Sequence, residues 1–310
     1  MPEILIEVRK SPVLGRPTLP CLRNYHAINL TAGCLFRCRY CYAQGYATNP
    51  GSGRITFYAN SAEKLATELL RKRHKPQIIC FSTATDPFVP IPQVLSTQLR
   101  IMTLVLKHGI AIMISTKARI PDEFMELFSR HRDLVHVQIG LSTVDDGVRA
   151  LMEPGAANVD DRLSSLSLLL SKNVRTELRM DPLIPLLTDT DQSLRQLFFE
   201  VSRSGCRQAV ASFLHLRKAN RQAMLVDYGP WKFSEVQRRL YSTDARLAVV
   251  GCEILLPSFE YRRERFEAIE RIGAEFGVAV KSCGCKNPDM AFANCHPQPN
   301  KMTKQVPFDI

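Results

Sequence analysis

"HAINLTAGCLFRCRYCYA" (His26–Ala43) sets a short apolar run directly before three cysteines within eight residues. Cys34, Cys38 and Cys41 therefore fall in a loop at the carboxyl end of a strand. That is the end at which β/α folds assemble their active sites. A structural zinc site takes four closed ligands, commonly from two CxxC pairs, and no fourth ligand is near. A c-type haem needs CxxCH, and Tyr42 stands where the histidine should be. Three thiolates can instead hold three irons of a cubane [4Fe–4S] cluster and leave the fourth iron open. The competing reading, buried thiols without metal, fits Arg37 and Arg39 poorly, because a desolvated core seldom takes two guanidinium groups.

Outward from this loop, β-branched apolar runs recur at "QIICFS" (77–82), "IAIMIS" (110–115), "VHVQIGLS" (135–142), "VRTELRM" (174–180) and "QAVASFL" (208–214). Between them lie stretches of helical spacing: "AEKLATELLRKRH" with Ser61 read as its cap, "STQLRIMTLVLKHG", "PDEFMELFSRH", "DDRLSSLSLLLSKN" and "TDQSLRQLFFEVSRSG". Several end at Gly or Asn, as a helix stop should. Alternation of this kind predicts parallel β/α units joined by right-handed crossovers. Six units are two short of a complete barrel. The expected fold is α/β, an open partial (β/α)6 TIM-type barrel, with a doubly wound sheet as the alternative. An irregular N-terminal arm (1–25) precedes the barrel (26–220). A C-terminal extension (221–310) follows, carrying the charged helix pattern "FEYRRERFEAIERIGAEFG" and then "VAVKSCGCKNPDMAFANCHP".

The 310 residues are 45% hydrophobic and 23% charged, shares typical of a globular enzyme. No apolar run approaches ~18 residues and the start lacks a signal-peptide core, so a cytoplasmic protein without membrane contact is expected. Ten cysteines in a reducing compartment point to metal or thiol chemistry rather than disulfides. The net charge of +11 suits a polyanionic partner such as nucleic acid. Basic runs at "RKRHK" (71–75) and "RRERF" (262–266) fit that partner, and each also fits a solvated helix end.

CxxxCxxC with Tyr40 just before its last cysteine, directly after a first strand, resembles the signature of the radical S-adenosylmethionine (SAM) enzymes. The resemblance implies a [4Fe–4S] cluster whose open iron is chelated by the amino and carboxylate groups of S-adenosylmethionine. Reduction then breaks a sulfonium C–S bond and releases a 5′-deoxyadenosyl radical that abstracts hydrogen. The protein supplies orientation and seclusion, and an electron donor such as flavodoxin or ferredoxin supplies the reducing electron. "STATDPFVP" (82–90), "STKA" (115–118), "GLST" (140–143), "MEPGAANVDDRL" (152–163) and "RMDPLIP" (179–185) are similar to segments of the branch that contains spore photoproduct lyase. That likeness implies a lyase-like enzyme acting on nucleic acid, in DNA repair or modification.

On this basis Tyr40 is expected to line the adenine, and Tyr42 to pack or relay a hydrogen atom. Thr85 and Asp86 are expected to bond the cofactor's amino group or ribose, and Lys117 to pair with its carboxylate. Ser142 and Thr143 suit ribose or carboxylate contacts. Arg179 and Asp181 either do the same or pair with each other. The lyase uses a cysteine near the loop after strand two as hydrogen donor. Here Cys80 lies within the strand, six residues before Asp86, and reads as a buried, inert thiol.

Two other functions stay open: a radical enzyme modifying a peptide or small metabolite, and a non-enzymatic zinc adaptor using cysteines from both ends of the chain. Cys283, Cys285 and Cys295, with His296 or Cys21 as a fourth ligand or with the fourth position open to substrate, are expected to form a second metal site, iron–sulfur rather than zinc. The alternative is a metal-free tail packed on the barrel.

Overall fold

The computed structural model describes residues 2–17, 22, 24–51, 53–81, 83–241, 246–249 and 252–290. In chain order come β1 (Glu3–Glu7), β2 (His26–Ile28), β3 (Thr31–Ala32), β4 (Arg54–Tyr58), α1 (Ser61–Arg71), β5 (Ile78–Phe81), α2 (Pro92–Lys107) and β6 (Ala111–Thr116). Then follow α3 (Asp122–Arg130), β7 (Val135–Gly140), α4 (Asp146–Met152), α5 (Val159–Ser171), β8 (Arg175–Leu183), α6 (Asp191–Arg203) and β9 (Gln208–Phe213). The last part holds α7 (Lys218–Arg221), β10 (Asp227–Tyr228), β11 (Trp231–Lys232), α8 (Phe233–Leu240), β12 (Arg246–Val249), β13 (Cys252–Leu255), α9 (Phe259–Glu275) and β14 (Ala279–Ser282).

Seven strands form one sheet in the order β14-β9-β8-β7-β6-β5-β2, every neighbouring pair parallel. The end strands β2 and β14 do not pair with each other, so this is an open, partial barrel. All six strands expected from the apolar runs are present. The seventh, β14, comes from the C-terminal segment and pairs with β9 through Ala279↔Gln208 to Ser282↔Ala211. β5 and β7 are buried along their whole length. Parallel strands covered on both faces require continuous apolar runs of this kind.

The N-terminal arm is not irregular throughout. β1 pairs in parallel with β4, which also pairs with β3 in a separate three-stranded sheet. Ser61 proves to be the first residue of α1 rather than its cap; Asn60 precedes it, and the Ser61 hydroxyl donates to the Tyr58 carbonyl at 2.8 Å. Side-chain caps do close α4, α5, α6 and α9, from Asp145, Asn158, Thr190 and Ser258.

Neither basic run forms a face at the cavity. Residues 71–75 lie before β5, at the amino end of the sheet. In 262–266, Arg262 is fully buried and donates to the Pro257 carbonyl (2.8 Å), Asn287 Oδ1 (2.9 Å) and Asp289 Oδ1 (2.9 Å). It ties α9 to the chain beyond β14. Among the described residues, no helix is long and apolar enough to cross a membrane.

Candidate active site at the open mouth of the barrel

A cavity of about 1510 Å³ opens at the carboxyl ends of the strands. All seven strands of the barrel sheet reach it: the cysteine loop after β2, Asp86 after β5, Lys117 after β6, Gly140 of β7, Asp181 of β8, His215 after β9 and Cys285 after β14. The cysteine loop is fastened from two sides. Arg39 donates its backbone N–H to Met152 O (2.9 Å) and its Nε to Leu151 O (2.8 Å), while Gly155 N donates to Phe36 O (3.0 Å). From the other side, Asn220 Nδ2 donates to Tyr40 O (2.8 Å). Gly155 is required by close approach, since a Cβ there would lie 2.2 Å from the Leu35 carbonyl oxygen.

Cys34, Cys38 and Cys41 all line the cavity. Burial pushes the Cys34 thiol up to about 12, with the nearby Asp86 charge adding to it. Burial raises Cys38 and Cys41 as well, against the opposing pull of Lys117. Thiols tuned for nucleophilic or redox work are shifted the other way. Bound metal ions, by contrast, strip the proton from a coordinating thiol outright. Among the described residues, no three His, Cys, Asp or Glu side chains gather closely enough to share one ion. Cys34, Cys38 and Cys41 bring three thiols of one loop to the same cavity, the donor set that three irons of a cubane require. The loop fits a cubane cluster.

Asp86 is half-buried, and its carboxylate accepts from Thr116 Oγ1 (2.9 and 3.0 Å), Lys117 N (2.9 Å) and Phe88 N (3.0 Å). Burial raises its pKa in spite of these donors. Its oxygens thus hold the β6 turn that presents Lys117. Lys117 Nζ donates to the Asp181 carbonyl (3.1 Å) and lies 5.7 Å from the centre of the Tyr40 ring. It passes over Gly140, where a Cβ would stand 2.9 Å from its Cγ and Nζ. Thr85 Oγ1 meets Thr31 Oγ1 at 2.8 Å and donates to Gly33 O at 3.1 Å, bracing the start of the cysteine loop.

The Tyr40 hydroxyl donates to Glu153, which forms an ion pair with the fully buried Arg162 at 2.5 Å. Burial opposes the charge on Glu153, but Arg162 and Lys117 outweigh it and hold the carboxyl below its usual value. Ser142 does not line the main cavity. It borders a small neighbouring recess with Tyr40, Glu153 and Arg162. Thr143 turns away to accept from Asp145 N at 3.1 Å.

Across the mouth, Arg179 donates to Asp181 Oδ2 from Nε (3.0 Å) and Nη2 (2.6 Å). Lys286 Nζ reaches the same carboxylate at 2.7 and 2.5 Å. Burial alone would raise the Asp181 carboxyl; the Lys286 and Arg179 charges hold it well below the carboxylate range. His215 is kept neutral, its pKa lowered to about 3 by burial and by Lys286. The Tyr42 ring lies 6.4 Å from that of His215 and 5.4 Å from the Arg217 guanidinium.

A family model described as the radical SAM superfamily matches residues 28–201. The chain belongs to that superfamily. A radical SAM Nα-GlyT isomerase of Pseudomonas phage M6 is 24% identical over 251 residues, covering 81% of this chain and 51% of the isomerase. The chain thus spans about half the length of that relative. ORF301 of Acidianus two-tailed virus is 22% identical over 243 residues, 74% of this chain and 78% of the viral protein. Among solved structures, spore photoproduct lyase complexed with dinucleoside spore photoproduct superposes with a TM-score of 0.67 at 18% identity, covering 89% of this chain and 81% of the lyase. A lyase double mutant with bound S-adenosylmethionine and the same dinucleoside gives 0.68 at 17%, with the same coverage. At such identities the likeness concerns the fold.

As a member of the radical SAM superfamily the chain is an enzyme, and the family implies a [4Fe–4S] cluster and S-adenosylmethionine. This displaces the reading as a zinc adaptor. Sequence reasoning missed four residues that the fold brings to the site. Glu153 lay inside the quoted "MEPG" stretch and Lys286 directly after Cys-Gly-Cys, whereas His215 and Arg217 lay in "SFLHLRKAN" (212–220), a stretch similar to other radical proteins, without being singled out. Cys80 lies at the cavity floor, buried, its thiol raised to about 12 by burial. Cys283 is buried with its Sγ 3.0 Å from that of Cys285. Cys295, His296 and Cys21 lie outside the described residues.

Proposed function

We propose that this radical SAM enzyme reductively cleaves S-adenosylmethionine at a [4Fe–4S] cluster held by Cys34, Cys38 and Cys41, and acts on nucleic acid in repair or modification of the photoproduct-lyase kind. The observation that carries the substrate class is charge. Among the described residues, eight lysines and arginines line the cavity against two carboxylates, Asp86 and Asp181. Several of them pair with carboxylates or backbone carbonyls, yet the cavity keeps an excess of positive charge that repels itself. A phosphodiester chain supplies the missing anions, as the overall +11 also favours. The solved lyase with a bound dinucleoside photoproduct supports the same reading.

The cluster and S-adenosylmethionine together supply one-electron cleavage of a sulfonium bond and a carbon-centred radical. The chain's residues do the rest. Lys117 pairs with the cofactor's carboxylate, and Tyr40, steadied by Glu153, walls the adenine. Thr85 braces the start of the cysteine loop on the ribose side, and Ser142 backs Tyr40 and Glu153 from the neighbouring recess. Asp86 fixes the turn that carries Lys117, and Arg179 and Tyr42, which line the same cavity, would help to hold the cofactor. The barrel (26–220) carries this machinery, the arm (1–25) flanks it, and the extension (221–310) lends β14 to its edge. An acidic flavodoxin or ferredoxin suits the basic mouth as electron donor, in the reducing cytoplasm. Cys283 and Cys285, with Cys295, form a second site for iron–sulfur or zinc. Protein with the first motif changed to alanine then still holds about four irons or one zinc per chain.

The test uses anaerobically reconstituted protein, strong reductant and deuterated candidate substrates. DNA that raises 5′-deoxyadenosine formation and passes deuterium into it supports the proposal. Deuterium arriving only from a peptide or small metabolite overturns the nucleic-acid assignment.

A further inference from the structure

Beyond the cofactor's side of the cavity, the segments after β9 and β14 bring Arg217, His215 and Lys286 together beside Tyr42. Arg217 follows β9, and its segment is pinned on the cysteine loop: α7 packs on the turn Tyr42–Gly45, and Arg39 Nη1 donates to the Ala223 carbonyl at 3.4 Å. A Cβ on Gly45 would stand 2.7 Å from Ala219 Cβ. The Arg217 guanidinium therefore has a fixed place beside the cluster ligands, 5.4 Å from the centre of the Tyr42 ring. Its Nε is buried with no hydrogen-bond partner among the described residues. A buried N–H of a cation left in this way costs free energy unless a ligand accepts from it.

Lys286 arrives from the other edge strand. It and Arg179 share a single carboxylate, Asp181, with side chains only 14% and 13% exposed. Lys117 adds a third cation at the Asp181 carbonyl. Lys117 also faces Asp86 and Glu153, and Arg179 also faces Glu177, while Lys286 holds its ammonium against Asp181 at the cavity wall, where an entering anion can reach it. Both Arg217 and Lys286 lie close enough to act on neutral His215, whose ring is 6.4 Å from that of Tyr42 and inclined to it by only 30°. Flat, uncharged rings flanked by Arg and Lys are what a nucleobase and its adjoining phosphate require: a surface to stack on and charge-assisted donors for the oxygens.

The geometry points to a nucleotide subsite in which Arg217 and Lys286 bind a backbone phosphate and Tyr42 and His215 carry the adjacent base. This rests on the reading of nucleic acid as substrate and adds where, and through which atoms, a nucleotide unit is held. The Arg217 Nε–H and the Lys286 ammonium donate to the phosphate oxygens. The reacting base thereby comes beside the cysteine loop, since Arg217 and Tyr42 belong to segments packed on it. One nucleotide unit is drawn out of the stack into the mouth, because the rings lie inside the cavity rather than on its rim.

The experiment titrates anaerobically reconstituted protein with the thymidine dinucleotide TpT and with its uncharged methylphosphonate counterpart, and iron content equal to that of the wild type checks that each variant is folded. The wild type is expected to bind the phosphodiester about tenfold or more tightly than the neutral analogue, the scale of one charge-assisted hydrogen bond. Arg217→Gln should bring the two ligands to within about twofold, Arg217→Lys should keep most of the preference, and Lys286→Gln should weaken it. If Arg217→Gln fails to hold iron, Lys286→Gln carries the test alone. A preference that survives in the iron-loaded glutamine variants overturns the subsite and leaves nucleic acid as substrate. A wild type that binds neither TpT nor longer single strands overturns both.

Discussion

The Tyr40 hydroxyl and the Glu153 carboxylate, 113 residues apart in the chain, are joined by a direct hydrogen bond, and Arg162 pairs with the other Glu153 oxygen. This joins the cysteine loop after β2 to the loop between α4 and α5. Arg162 also donates to Gly140 O (2.8 Å) and Ala157 O (2.9 Å), so the same network reaches the end of β7. The aromatic residue of the cluster motif is therefore held by a buried ion pair, and not by packing alone.

Breaking that pair should be costly. Glu153→Gln leaves Arg162, which is fully buried, without its counter-charge. The expected loss is about 3–5 kcal/mol of stability. Tyr40→Phe removes one hydrogen bond and should lose less, about 1–3 kcal/mol. Urea unfolding of the two variants measures both; equal losses contradict the ranking.

Replacing Cys34, Cys38 and Cys41 together by alanine should remove about four irons per chain and abolish the formation of 5′-deoxyadenosine under strong reductant, leaving only the metal of the second site. Undiminished cleavage by this triple variant would sink the assignment of the cluster.

Gly155→Ala should weaken iron retention although the residue is not a ligand. The added methyl would meet the Leu35 carbonyl at 2.2 Å, which forces the loop after α4 away from the cysteine loop. Iron content after reconstitution and gel filtration is expected to fall below half of wild type. Full retention means the loop yields without disturbing the site.

Glu177 predicts a specific acid sensitivity. Burial opposes its charge, but the hydrogen bond and charge of His136, with Gln138 and Arg179, bring its pKa down to about 2. A carboxylate depressed in the folded state binds fewer protons there than in the unfolded chain. Its stabilisation is complete above about pH 5 and is lost as pH falls toward 2, on the order of 3 kcal/mol in all. Glu177→Gln should flatten the stability–pH curve of the apoprotein across that window. An unchanged slope shows that other carboxylates govern the acid limb.

The sequence alone carried the six apolar runs of the barrel and the CxxxCxxC loop, because both are local. Strand patterning depends on residues a few positions apart, and cluster ligands sit on one short loop. It also carried Asp86 and Lys117, which lie in short segments right after strands. Tertiary structure alone decided the rest. β14 joins the sheet through parallel pairing with β9, about seventy residues earlier, and no local pattern sets which strand a distant segment will choose. Arg262 read as part of a basic surface run yet became a buried tether, since charge patterning does not reveal which side a helix turns inward. Ser142 lay in a fitting motif but borders a side recess, and Lys286, Arg217 and His215 reached the mouth unannounced. Their roles follow from where the ends of separate strands meet, and that meeting is fixed by the packing of the whole barrel.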